Sequence, residues 1–170
     1  MLIRFFYDSR SWMIAELNRR VWVLLLVTSV PAASQSAHQT LISRLRAAPL
    51  QFVQDSTNIT LSADANRDFM PSTEPNDRSL RVFFSAVSAG SGELPADLIP
   101  EQVWVIRDTT VWNTSVPAAT IRRSHGRVAA MVWGGPQWAP GDSVDVVVRY
   151  RTKSGARLVR SARRAISQSS

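Results

Sequence analysis

The stretch WAPGDSVDVVVRYRTKSGARLVRSARRAI, Trp138 to Ile166, decides the fold. Pro140-Gly141 makes a turn that delivers the chain into Val144, Val146, Val148 and Tyr150, which alternate with Asp145, Val147, Arg149 and Arg151. A period of two puts one set of side chains on each face of a strand. Lys153-Ser154-Gly155 supplies a short loop with glycine free to take positive φ, and Arg157 to Ile166 returns as a second strand. A lone hairpin is marginal in water, so this one must close a larger sheet. The return alternates less well, because Arg157 and Arg160 fall on opposite faces. A bulge near Val159-Arg160, or an edge position with both faces in water, reconciles the two.

Working back from the hairpin, Arg127 to Trp133 is a strand closed by Gly134-Gly135-Pro136. Gln102 to Ile106 and Thr110 to Asn113 pair around a turn at Asp108-Thr109, and Leu80 to Ala89 is a further strand. Gln51 to Gln54 and Asn58 to Ala65 read as two short strands, or one broken at Asp55-Ser56. Asn66 to Ser79, with Pro71 and Pro75, and Gly90 to Pro100 are loops. About seven strands at roughly eight- to twelve-residue spacing, with no strong helix, predict an all-β sandwich over 50–166 and a disordered tail at 167–170. Residues 37–49 are a linker or short helix with Leu41, Ile42 and Leu45 on one stripe, stopped by Pro49.

The W-x-P-G-D-x-V-x-V-x-V run from Trp138, with its glycine turn and returning strand, resembles the last two strands of bacterial immunoglobulin-like and fibronectin type III-like modules on exported proteins. That resemblance implies an immunoglobulin-like β-sandwich used for binding. The chain departs from antibody-type domains in having no cysteine pair and no tyrosine corner. Arg67-Asp68-Phe69-Met70-Pro71 with Pro75-Asn76-Asp77 is also similar to exported bacterial proteins, which implies no activity.

Export is expected from residues 1–36. Asn18-Arg19-Arg20, the apolar run from Val21 and the small residues of Pro31-Ala-Ala-Ser-Gln-Ser36 have the three parts of a secretory signal. At about 1.5 Å per residue the apolar run spans roughly 20 Å, short of a hydrocarbon core of about 30 Å, so no stable transmembrane anchor is expected. Met13 stands where a start codon would leave a signal of ordinary length. A secreted or periplasmic location follows.

Charge is sorted along the chain. Gln51 to Asp108 holds nine acids against four arginines, whereas Arg122 to Arg164 holds ten basic residues against Asp142 and Asp145. Strands with arginine on the solvent face give this count without a polyanionic partner, and nucleic acid is not expected. The absence of cysteine removes disulfides, thiolate metal sites and a cysteine nucleophile.

Three groups of residues are candidate sites. Asp64, Asn66 and Asp68 place oxygen side chains at alternate positions of a loop, the opening of several calcium loops, although Phe69 and Pro75 occupy positions where an EF-hand needs glycine and glutamate. Calcium is the one metal this suggests, and ordinary loop hydrogen bonding is the alternative. Trp104 and Trp112 must face opposite sides of a hairpin turning at Asp108-Thr109, so one indole is expected at an outer surface for a protein or sugar contact. His125 is the one histidine within 50–166, without the nucleophile and orienting group a triad requires. The functional expectation is a non-catalytic module for protein–protein interaction or envelope assembly, its partner another exported or envelope protein. A carbohydrate-binding module using an exposed tryptophan is the alternative, and a carboxylate-based hydrolase comes third.

Overall fold

The computed structural model describes residues 32–69, 78–90 and 92–169. The chain divides into two compact units, 1–36 and 37–170. Of the first, only the last few residues, which begin a helix, are described; the rest of the expected export signal lies outside the described residues. No described helix is long and apolar enough to cross a membrane.

Helix α1 spans Ala32–Arg46, so the segment expected as a linker or short helix is a helix. Arg44 and Arg46 occupy its last turn, where cations suit the negative end of the helix dipole. Ile42 and Leu45, with Ala48 just beyond, are buried in a small cluster with Ile106 and Val147, while Leu41 stays partly exposed.

The strands are β1 (Gln51–Gln54), β2 (Thr57–Asp68), β3 (Leu80–Ser88), β4 (Ile99–Arg107), β5 (Thr110–Ser115), β6 (Arg122–Ser124), β7 (Arg127–Gly135), β8 (Ser143–Thr152), β9 (Gly155–Arg160), β10 (Arg164–Ala165) and β11 (Ser167–Ser169). They form two sheets. The first runs β1-β2-β3-β7-β6 with β11 also beside β2; the second runs β10-β8-β4-β5 with β9 also beside β8. Their inward residues make one core, including Leu61, Val82, Phe84, Val105, Val132, Val148 and Tyr150. The period-two reading therefore holds for β3, β4 and β8, and α1 adds a second, smaller cluster on the outer face of the second sheet.

The turn that starts at Trp138 is held by side-chain contacts. Trp138 is buried beneath the Arg107 guanidinium, 5.0 Å from the ring centroid, and Arg107 reaches Asp142 at 2.8 Å. Gly141 takes φ +90, a conformation that disfavours side chains. β9 pairs with β8 in unbroken register from Thr152↔Gly155 to Val147↔Arg160. The chain then leaves the ladder and rejoins at Val144↔Arg164, so Ser161, Ala162 and Arg163 lie opposite Asp145 and Val146 alone. The irregularity falls just past Arg160, and β9 is an edge strand.

Several sequence boundaries are corrected. Asp64 to Asp68, expected to run into a loop at Asn66, continue β2, because Ala63, Ala65 and Arg67 all face inward. Arg67 disguises this alternation: its guanidinium leaves the core end to donate to the carbonyls of Arg78 and Trp138, both at 2.9 Å. β6 is short and wholly exposed, and gives no apolar signal. Ser167–Ser169, expected as a disordered tail, pair in parallel with Asn66–Asp68.

Candidate functional site

The outer face of the first sheet carries a groove whose shape follows from strand register. Asp64, Phe83 and Met131 share one rung across β2, β3 and β7; Ser62, Ser85 and Ala129 share the next; Thr60, Val87 and Arg127 share the third. The smallest side chains form the middle rung, so the face dips between two rungs of larger ones. The single turn Ala118–Thr120 and Arg122 of β6 add a wall. The resulting cleft has a volume of about 700 Å³. Ligand sites typically fall between roughly 300 and 1,000 Å³.

Two aromatic rings line it while remaining open to solvent. Trp133 is 51% exposed and Phe83 45%. Trp133 sits in a β-bulge: Leu80 pairs with Gly135 and Val82 with Val132, leaving Trp133 and Gly134 opposite Arg81. Gly134 takes φ +87 and its N–H donates to Ser79 Oγ at 3.1 Å. Bulges of this kind redirect side chains and recur beside functional sites.

The charges around the groove are unevenly matched. Arg122 Nη1 donates to the carbonyls of Ala119 (2.6 Å) and Ile121 (3.0 Å), which fixes it at the wall. Among the described residues, neither Arg122 nor Arg127 meets a carboxylate. Asp64 has a loose, exposed partner in Arg164 at 3.9 Å.

Most other arginines of the basic half are matched. Arg149 and Arg151 lie 3.3 and 3.0 Å from Glu101, Arg160 3.6 Å from Asp145, and Arg163 3.7 Å from Asp108. The sorting of charge along the sequence is thus largely answered within the fold, where β8 pairs with β4.

The expected site residues are distributed differently. Asp64, Asn66 and Asp68 follow one another along the outer face of β2. Alternate residues of a strand are separated by roughly 6.6 Å, so these side chains run in a row instead of wrapping a centre. Asp68 pairs with Arg81 at 3.2 Å. Among the described residues no group of three or more His, Asp or Glu side chains is placed to hold a metal.

Trp104 and Trp112 do face opposite sides of the β4–β5 hairpin, in the register Val105↔Trp112 and Trp104↔Asn113. Both are half-buried. Trp112 packs against the main core, with Leu80 and its ring beside Gly135. Trp104 packs against the cluster that α1 completes. A helix that the weak Leu41, Ile42, Leu45 stripe barely announced supplies the cover. Among the described residues the exposed indole is Trp133, and its signal in the sequence was a strand residue followed by two glycines.

His125 Nδ1 lies 3.3 Å from Glu93 Oε1 at an exposed turn, and among the described residues no hydroxyl hydrogen-bonds its ring. In comparisons with known proteins, the chain matches no family model, no curated protein and no solved structure.

Proposed function

We propose that this chain is an exported, non-catalytic immunoglobulin-like module that binds an anionic saccharide in the groove of its first sheet. The observation that carries the reading is the combination of solvent-open Trp133 and Phe83 with two arginines, Arg122 and Arg127, that have no acidic partner among the described residues. Indole and phenyl faces stack on the apolar face of a pyranose. Hydroxyls of Ser62 and Ser85 and the Asp64 carboxylate offer partners for sugar hydroxyls, and the guanidiniums suit a uronate carboxylate.

The immunoglobulin-like type is supported by strand order. β2-β3-β7-β6 facing β5-β4-β8-β9 follows the A-B-E-D and C′-C-F-G order of that architecture. The departures are consistent with a cysteine-free variant: Tyr150 lies late in β8, and Trp104 of β4 points away from the main core. Export rests on the three-part pattern within residues 1–36.

Titration with a uronate oligosaccharide, against a neutral oligosaccharide of equal length and followed by tryptophan fluorescence and calorimetry, tests the proposal. Binding of the acidic chain is expected to be lost in Trp133→Ala and to weaken tenfold or more in Arg122→Ala/Arg127→Ala, with melting unchanged. Equal binding of both oligosaccharides would remove the role of the arginines. Binding of neither, by a folded protein, would remove the saccharide reading altogether.

A further inference from the structure

β5 forms one edge of the second sheet, and its backbone is half paired. The register β4–β5 continues to Val116, whose N–H donates to Glu101 O at 2.9 Å. Antiparallel pairs alternate between bonded and non-bonded, so Thr110, Trp112 and Thr114 also bond towards β4. The N–H and C=O groups of Val111, Asn113 and Ser115 therefore point away from the sheet. Among the described residues, no backbone group meets them.

The other edges of the described sheets are blunted. β9 carries Arg157 and Arg160, and Pro49 O accepts from the Arg160 N–H at 2.9 Å. β6 has three residues, two of them arginine, and β1 has four. Arginines, short strands and covering loops are the usual protections against edge pairing. Thr110 to Ser115, TVWNTS, has none of them: no charge, no proline, and three β-branched residues with a tryptophan in six positions.

We infer that β5 pairs antiparallel with β5 of a second copy of this chain, joining the two second sheets into one continuous sheet across a two-fold axis. A strand presented to itself must tolerate its own charges, and the uncharged β5 does so where β6 and β9 would set arginine against arginine. The register that uses all three outward residues sets Asn113 against Asn113 of the other copy and Val111 against Ser115. It places Trp112 against Thr114 in a non-bonded pair, where side chains approach most closely. One strand pair buries less than the roughly 1,200 Å² of a standard interface, so the dimer forms with modest affinity.

The chain contains no cysteine, which gives a direct test. Across a bonded antiparallel pair the two Cα atoms lie about 5.5 Å apart, within the disulfide range of roughly 4.4 to 6.8 Å. The full chain carrying Asn113→Cys is expected to form a covalent dimer on mild oxidation or with a short bismaleimide, while Arg157→Cys on the β9 edge stays monomeric. Adding Ser115→Pro, which removes one outward N–H and leaves the β4 ladder intact, should lower the Asn113→Cys yield tenfold or more. As an independent measure, Asn113→Lys should weaken self-association in sedimentation tenfold or more without lowering the melting temperature. The inference is overturned if Asn113→Cys cross-links no better than Arg157→Cys. It is equally overturned if association persists undiminished in a folded Asn113→Lys protein.

Discussion

Arg46 of helix α1 and Asp145 of β8 meet on the outer face of the second sheet, Nε 3.2 Å from Oδ2, with the Asp145 side chain only 6% exposed. Asp145 also faces Arg160 at 3.6 Å. This carboxylate lies at the side of the cluster in which Ile42 and Leu45 pack with Ile106 and Val147, and Ile106 is its strand partner on β4. Its two cations arrive from distant parts of the chain, so it fixes where α1 can dock. Arg46 also donates to Asp108 O at 2.9 Å, and His38 Nε2 lies 2.8 Å from Thr109 O. The helix is thereby tied to the β4–β5 turn.

That arrangement predicts a non-additive pair of substitutions. Arg46→Ala alone leaves Asp145 with Arg160 and should cost about 1 kcal/mol, since Arg46 is partly exposed. Arg46→Ala with Arg160→Ala leaves a buried carboxylate without a cation and should cost about 3 kcal/mol or more. A double-mutant cycle by urea denaturation measures this. Simple additivity of the two losses would mean that the two arginines act independently and that neither compensates for the other at Asp145.

Gly135 is the second sensitive point. A Cβ there would lie 2.9 Å from Leu80 Cβ and 3.0 Å from two ring atoms of Trp112. Gly135→Ala should therefore destabilise by about 1–3 kcal/mol through overpacking between the two sheets. Trp112→Leu should recover part of that loss in the double variant, whereas a purely backbone effect of alanine would leave the loss unchanged.

How much of this was legible depended on what each residue had to satisfy. Val82, Phe84, Val144, Val146 and Val148 bury one face against the opposite sheet, and so wrote a period of two into the sequence. Arg67 occupies an inward position because loop carbonyls accept its protons, and one such residue was enough to make the end of β2 read as loop. β6 buries nothing, so its sequence carries no pattern. The groove was the least visible feature. Phe83 alternates with the inward Val82 and Phe84, but only the pairing of β3 with β7 brings it beside Met131 and towards Trp133. Register between strands separated by some fifty residues leaves no mark within either strand.

Tyr150 is 1% exposed, and its hydroxyl has no hydrogen-bond partner among the described residues. A buried hydroxyl without a partner costs about 1–3 kcal/mol, so Tyr150→Phe should leave stability unchanged or raise it by about 1 kcal/mol. Burial pushes the phenol far above its ordinary value of 10.0. The sign follows from proton binding: the folded state keeps this proton while the unfolded chain releases it above about pH 10. Stability is therefore unaffected by this group's titration below that pH and falls as the pH rises further. The alkaline limb of the wild-type stability profile should be steeper than that of Tyr150→Phe.

Asp97 tests the opposite limb. The Lys153 backbone N–H, in the turn between β8 and β9, donates to its carboxylate, and this holds the carboxyl below its ordinary value of 3.8. The folded protein therefore releases this proton at lower pH than the unfolded chain does. Stability from the contact is present above about pH 3.8 and is lost as pH falls through the lower, folded value. Because Asp97 lies in a loop and is partly exposed, the effect is local: the turn at Lys153-Ser154 should loosen in acid before the sandwich melts. Carboxyl chemical shifts should titrate with a midpoint below that of the urea-unfolded chain, and the Lys153 amide shift should follow the same curve. Asp97→Asn should abolish the amide titration while leaving the shifts of Val146 and Val148 in place. An Asp97 midpoint at or above the unfolded value would show that the Lys153 N–H does not hold this carboxylate in solution.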